Sequence, residues 1–304
     1  MINLFGSLGF IFLIILLGFL LRKIPAIKDL IWDQAERINY YILFPSLLFT
    51  SLAVAPLNDP NLLDLLYALL MTLAMVFIAL ILAKKIWSIE TNKFGVITQS
   101  LIRHNTFIGL AAISSLYSTE GLLIASVVLA ILVPTVNVLS VISFRLEKGF
   151  TLNSLFYPII KNPLILACVA GIGFNLSSLE MNADVDNLLH VLAKISLPLG
   201  LLTVGGALKI KELQSQYFSL FSISLIRLVV MPFIAFLMAN LFNLPRLETA
   251  IIVIFFGLPT AISSYVLTRQ FKGDYHLMAG IITAQTIISS VTLVVVLALV
   301  DLIH

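Results

Sequence analysis

Ten stretches of the chain are each about 20 residues long and mostly apolar, the length at which an α-helix crosses the hydrocarbon core of a bilayer. They run roughly over residues 4–21, 31–54, 62–83, 95–117, 121–143, 158–177, 187–208, 216–241, 248–269 and 275–300. In hydrocarbon every backbone N–H and C=O needs a partner inside the protein, which leaves helices or a closed barrel. Unbroken apolar runs of this length select helices. The expected fold class is an all-α polytopic membrane protein with ten transmembrane helices. Composition excludes a soluble globule, because 60% of the residues are hydrophobic and only 11% charged, against about 25% charged in soluble domains.

Loop charge sets an orientation. Arg22, Lys23 and Lys28 follow the first segment, and Lys84, Lys85 and Lys93 the third. Arg145, Lys148 and Lys161 follow the fifth, Lys209 and Lys211 the seventh, and Arg269 and Lys272 the ninth. The opposite loops hold only Arg246 among the bases, but carry Asp59, Glu120, Glu180, Asp184, Asp186 and Glu248. The odd-numbered loops are therefore expected in the cytoplasm of a cell-membrane protein, with both termini outside. The first segment is too long for a signal h-region and precedes Arg22-Lys23, a stop-transfer pattern. The net charge of +3 is spread over loops and gives no footing for nucleic acid. Cys168 is the single cysteine, so neither a disulfide nor a cysteine-based metal site is expected.

The longest polar interruption lies between Arg145 and Asn162 and reads as a cytoplasmic connector, either a plain loop or an amphipathic helix lying in the interface. It divides the chain into a five-helix repeat over 1–143, the connector over 144–162 and a second five-helix repeat over 163–304. The halves share an ordered pattern. Phe107-Ile-Gly-Leu-Ala-Ala-Ile-Ser-Ser115 aligns with Phe255-Phe-Gly-Leu-Pro-Thr-Ala-Ile-Ser263, setting Gly109 over Gly257 and Ser115 over Ser263. The same offset sets Asn137 over Gln285, and Phe44-Pro45 in span two matches Leu197-Pro198 in span seven. An odd number of spans per half turns the second copy upside down, as in inverted-repeat carriers.

Spans four and nine break this apolar pattern. Arg103, His104, Asn105 and Thr106 stand together where span four should be most apolar. A charge at mid-bilayer costs about 2.5–3.5 kcal/mol even on the lenient insertion scale. Asn105 and Thr106 can cap a second half-helix, since both side chains accept from freed N–H groups. In span nine Gly257 relaxes the backbone, and Pro259 suits the first turn of a new half-helix, with Thr260 beside it. Each second half-helix would aim its positive end at the centre, and two such ends make a carboxylate site. Gly and Pro in a span can also do no more than kink a packed helix.

Arg227 lies mid-span in segment eight near Pro232, and no Asp or Glu lies at the centre of any expected span. Arg103 and Arg227 must then find carbonyls, a helix C-terminus or a bound anion. The missing acids argue against a carrier of cationic drugs or a pump with a buried acid pair. Arg103 reads either as a brace for the break or as a substrate contact. His104 reads as a proton carrier or as a neutral imidazole on a carbonyl. Arg37 and Lys194 lie near span ends and read as interface anchors, with Lys194 open to a role in the site. Asn137 and Gln285 bring amides to the spans after the broken helices. The expected substrate-binding set is Arg103, Asn105, Thr106, Gly109, Asn137, Arg227, Gly257, Pro259, Thr260 and Gln285. An intramembrane hydrolase would need paired acids, a His-Glu-x-x-His helix or a serine elbow, and the sequence has none of these.

The ordered motifs resemble the auxin efflux carrier family of membrane transport proteins, whose bacterial members include malate and malonate permeases. They are Tyr41-Ile-Leu-Phe-Pro45, Arg103-x-Asn105-x-Phe107-x-Gly109, Leu197-Pro198 with Gly205-Gly206-Ala207-Leu208, Pro232, Gly257-Leu-Pro259 and Phe271-x-Gly273-Asp274. The resemblance implies ten spans in two inverted repeats, like the sodium/proton antiporters and bile acid symporters, with helices four and nine broken and crossed. Helices 1, 2, 6 and 7 would form a scaffold, and 3–5 and 8–10 a moving transport domain. It also implies a homodimer. Ala111 stands where repeat symmetry sets a residue opposite Pro259, and the family typically has proline there. The expected function is secondary transport of small organic anions such as malate, malonate or auxin-like acids, with the lipid bilayer as its other partner. No cofactor is expected beyond a coupling ion, Na⁺ or H⁺. The alternatives are a sodium- or proton-coupled carrier that binds the cation centrally, and a non-transporting membrane sensor.

Overall fold

The structure, a computed structural model, describes residues 2–27, 29–147, 160–177, 179–214 and 216–303, with side chains except at 2–5, 29 and 301–303. Every regular element among the described residues is helical. In chain order they are α1 (Ile2–Leu21), α2 (Asp29–Ile38), α3 (Phe44–Ala53), α4 (Asn61–Ile86), α5 (Thr91–Ile102) and α6 (Thr106–Arg145). There follow α7 (Pro163–Ser177), α8 (Ala183–Ala207), α9 (Tyr217–Leu225), α10 (Met231–Leu241), α11 (Arg246–Gly257), α12 (Ser263–Gln270) and α13 (Tyr275–Ile303). A 3₁₀ turn over Ile210–Gln214 follows α8. Five helical runs are long and apolar enough to cross a membrane: Asn61–Ile86, Thr91–Arg145, Ala183–Ala207, Tyr217–Leu241 and Tyr275–Val300. Gly6–Leu21 and Pro163–Ser177 are shorter apolar helices. The chain is thus an all-helical, multi-pass membrane protein. Most of the expected connector lies outside the described residues.

Two expected spans are joined by wide turns that the periodicity does not reveal. Asn39–Leu43 links α2 to α3 as a π-helix, and Ile226–Val230 links α9 to α10 in the same way. Each π turn stands just ahead of a proline, Pro45 and Pro232. A proline ring clashes with the carbonyl four residues before it and donates no hydrogen bond. That carbonyl belongs to Tyr41 in one case and Leu228 in the other, both inside the π turn. Widening the turn relieves the clash without ending the helix. It also rotates the polar residue on each turn inward, so Asn39 and Arg227 are both fully buried. Asn39 Nδ2 donates to the Ser196 carbonyl at 3.0 Å, and Ser196 Oγ returns a bond to Asn39 Oδ1 at 2.9 Å.

The helix α6 carries the second arm of span four straight into span five. The arms meet at Tyr117 (φ −124°, ψ 16°) and Ser118 (φ 54°, ψ −150°), a sharp corner and not a loop. The left-handed φ at Ser118 is strained for a residue with a side chain.

In α4 the buried residues Leu65, Ala68, Leu69, Thr72, Leu73 and Val76 follow helical spacing, while Leu63, Tyr67, Met71, Met75 and Ile78 are exposed. Both faces are apolar, as lipid on one side and core on the other require. By contrast α11 is buried at every residue from Glu248 to Gly257. The backbones of α1 and α8 approach each other closely at two glycines. A Cβ at Gly205 would stand 1.8 Å from the Ile15 carbonyl oxygen, and one at Gly18 would stand 2.1 Å from that of Leu202. Small residues allow helices in a membrane to approach this closely.

Candidate functional site

Spans four and nine are interrupted, and the interruptions touch. After Ile102 the backbone turns extended at Arg103 (φ −79°, ψ 144°) and stays so to Asn105 (φ −78°, ψ 100°), where α6 starts. After Gly257 it turns extended at Leu258 (φ −70°, ψ 149°), and α12 starts only at Ser263. The Asn105 N–H donates to the Pro259 carbonyl at 2.8 Å, a direct backbone bond between the two breaks. Asn105 Oδ1 accepts from the Ile108 N–H at 3.3 Å and so caps α6. Thr106 is the first residue of that helix and is half-buried.

Polar side chains tie the breaks together. Gln285 on α13 is fully buried. Its Oε1 accepts from the Thr260 N–H at 2.8 Å, and its Nε2 donates to the Ser100 carbonyl at 3.2 Å. Thr260 Oγ1 donates to the Gln99 carbonyl at 3.2 Å and lies 3.3 Å from Ser264 Oγ. Gln99 Nε2 donates to Thr268 Oγ1 at 3.0 Å. Breaking a helix in a membrane frees backbone groups that must be satisfied again, and these amides and hydroxyls do so. Three polar atoms near by have no hydrogen-bond partner among the described residues: Gln99 Oε1, Thr98 Oγ1 and His104 Nε2. The His104 ring stands edge-on to Phe255, with centroids 5.4 Å apart.

Arg103 and Arg227 occupy opposite electrostatic ends of the half-helices. Arg227 is fully buried. Its Nε donates to the Leu258 carbonyl at 2.7 Å, its Nη2 to Phe255 at 3.1 Å and its Nη1 to Leu101. These carbonyls close the C-terminal ends of α11 and α5, the negative ends of both first half-helices. One guanidinium on a π turn thus caps two helices at once. Arg103 stands at the other pole. Its Nη2 donates to Ser263 Oγ at 3.1 Å, at the first residue of α12. It makes no ion pair among the described residues. A cation beside the positive end of a helix leaves a local excess of positive potential.

The structure amends several expectations. Pro259 does not open the second half-helix. It lies in the extended crossing, and its carbonyl, not its missing N–H, is what matters. Gly257 is helical, and a Cβ there would meet nothing closer than 3.4 Å, so the chain leaves the helix at Leu258. Gly109 packs against Leu258, whose Cδ1 would lie 2.6 Å from a Cβ. Asn137 is half-buried and its side chain bonds to no described residue, so the repeat symmetry that pairs it with Gln285 does not carry over to the network. Sequence reasoning gives no site role to Gln99, Thr268, Ser263 and Ser264. Their only signal was polarity inside apolar segments, shared with many hydroxyls that merely bond their own helix.

Two cavities flank the crossing, at opposite ends of α8. The larger, about 550 Å³, is bounded by α1, α3, α8 and the first arm of α6, with Lys194 and Ser114 in its wall. The smaller, about 190 Å³, is bounded by Arg22, Asp33, Glu36, Lys209, Tyr265 and Ile262, the last adjacent to Ser263. None of the ten expected substrate-binding residues lines either cavity.

Comparison with known proteins follows the same direction. An uncharacterized transporter of Methanocaldococcus jannaschii is 24% identical over 289 residues, covering 92% of this chain and 93% of the relative. An uncharacterized transporter of Methanothermobacter thermautotrophicus is 24% identical over 289 residues, covering 93% of this chain and 94% of the relative. Residues 148–297 match the sequence model of the family described as Membrane transport protein. Of the motifs named above, Leu197-Pro198, Gly205–Leu208, Pro232, Gly257-Leu-Pro259 and Phe271–Asp274 fall within the matched residues, and Tyr41–Pro45 and Arg103–Gly109 fall outside them.

Proposed function

We propose that the protein is a secondary carrier, and not an enzyme, that moves small organic anions, mono- or dicarboxylates, across the cell membrane by alternating access. In this reading the chain forms ten spans in two inverted repeats, with both termini outside the cytoplasm. The helices α1, α2–α3, α7 and α8 are the scaffold, and the remaining helices move against it. The observation that carries the reading is the contact between the breaks, Asn105 N–H on the Pro259 carbonyl, with unpaired Arg103 at the start of α12. A carboxylate there would gain charge-assisted bonds from the guanidinium and from helix N–H groups. Arg227 serves as the brace that holds the negative ends away from it. The two cavities, one toward each end of α8, are the paths that alternate.

The test is flux in proteoliposomes loaded with a labelled carboxylate such as malate or malonate. Wild type should exchange it, and Arg103→Ala should lose most of that exchange while expressing and eluting normally. Normal exchange by Arg103→Ala would remove the charge assignment.

A second reading adds a coupling cation. It is favoured by Gln99 Oε1, a buried acceptor in the crossing that no described group satisfies. An unpaired acceptor in a low-dielectric site is costly and is eased by a bound Na⁺ or a proton-bearing group. Replacing sodium by choline, and separately stepping the pH, distinguishes coupled flux from uniport.

A further inference from the structure

The larger cavity is unlike the crossing. Its walls are mainly apolar, from α1, α3 and α8, and its volume of about 550 Å³ falls in the range of roughly 300–1,000 Å³ typical of small-molecule sites. One face of α8 supplies His190, Lys194, Leu197, Pro198 and Leu201 to it, at helical spacing. His190 is held by Asp186, with Nδ1 2.9 Å from the Asp186 carbonyl oxygen and 3.2 Å from Oδ1. Lys194 has no hydrogen bond or ion pair with any described residue, and no Asp or Glu lines the cavity. Across from α8, the first arm of α6 contributes Ser114 and Ser115, whose hydroxyls are likewise without a described partner.

We propose that this cavity is a capture site for an amphipathic organic anion, in which Lys194 pairs with the carboxylate and the apolar wall takes the hydrocarbon body. The inference rests on the carrier reading and deepens it by naming a specificity residue on α8. An ammonium next to a greasy wall, with no acid in the cavity lining, is matched by a ligand that has one charge at one end. A short dicarboxylate would have to leave its second charge against apolar groups, which is costly. The site lies apart from the crossing. Ala111, the α6 wall residue nearest the crossing in the chain, is six residues from Asn105, which at 1.5 Å per residue is about 9 Å, and Ser114 is three residues farther. The anion would be taken up here first, and would reach Arg103 only when the moving helices shift.

The experiment compares hexanoate with malonate on wild type, Lys194→Gln and Lys194→Arg in proteoliposomes, beside direct binding of hexanoate to the detergent-solubilised proteins by calorimetry. The expected result is a lower KM for hexanoate than for malonate on wild type. Lys194→Gln should raise the hexanoate KM and Kd on the order of tenfold, as loss of one charge-assisted bond does, and Lys194→Arg should restore most of it. Unchanged hexanoate KM and Kd in Lys194→Gln would overturn the proposal, including the case where the variant differs only in lipid that co-purifies and sits in the cavity. Lys194-dependent binding without any flux would uphold the site while refuting the carrier reading. No binding of hexanoate to wild type would refute the site whatever malonate does.

Discussion

Arg227→Met is the substitution with the largest expected cost. The methionine keeps an unbranched chain in the same slot but removes the Nε and both Nη donors. The carbonyls of Leu101, Phe255 and Leu258 then lose their partner at the ends of α5 and α11. A buried polar group left unsatisfied costs about 1–3 kcal/mol. Three would sum to about 3–9 kcal/mol if each lost its full worth. Relaxation and sharing of the ends bring the expectation to about 3–5 kcal/mol, the range for breaking a buried charged cluster. Arg227→Lys keeps the charge with one nitrogen in place of three, and so should recover only part of the loss. The assay is thermal unfolding of the purified protein, followed by flux. Arg227→Met should melt more than about 5 °C below wild type, with Arg227→Lys between. If Arg227→Met melts with wild type, or if Arg227→Lys changes KM at unchanged stability, the guanidinium is not the brace of the two helix ends.

Three further outcomes follow from the same geometry. Gln285→Leu removes the acceptor for the Thr260 N–H and the donor to the Ser100 carbonyl, and should cost about 2–4 kcal/mol by chemical unfolding, with flux lost. Gln285→Glu keeps the acceptor and should fall between. Gly205→Ala puts a methyl 1.8 Å from the Ile15 carbonyl oxygen, so α1 and α8 must separate, and the melting temperature should drop by several degrees. Gly257→Ala should leave the melting temperature unchanged or slightly raised, because the residue is helical with room for a Cβ and alanine favours helix by about 1 kcal/mol.

The sequence discloses helices better than it discloses faces. Apolar runs placed the five helical runs that are long and apolar enough to cross a membrane within a few residues, because length and hydropathy alone define a span. They could not say which side of α4 meets lipid, because Leu69 and Leu70 are chemically alike although one is fully buried and the other exposed. The polar residues were the only markers of the interior, and there the reading reached far. Arg103, Asn105, Thr260 and Gln285 all stand in the crossing. It failed where backbone detail decides. Pro259 reads as the first turn of a half-helix, whereas in the structure its carbonyl is the group that receives the Asn105 N–H. The π turns at Asn39–Leu43 and Ile226–Val230 were invisible, although Pro45 and Pro232 were their signal. Carbonyls at a helix C-terminus are among the partners the sequence allows Arg227, but it does not say which, since all three come from residues distant in the chain. Asn137 was set beside Gln285 by symmetry, and symmetry of sequence does not guarantee symmetry of hydrogen bonding.

The most direct measurement is an experimental density map of the protein in lipid nanodiscs, recorded with and without a saturating carboxylate. The account predicts two interrupted helices with Asn105 against Pro259, and ligand density within hydrogen-bond reach of the Arg103 guanidinium in at least one state. Continuous helices through residues 103–105 and 258–262, or a carboxylate that never approaches Arg103, would contradict it.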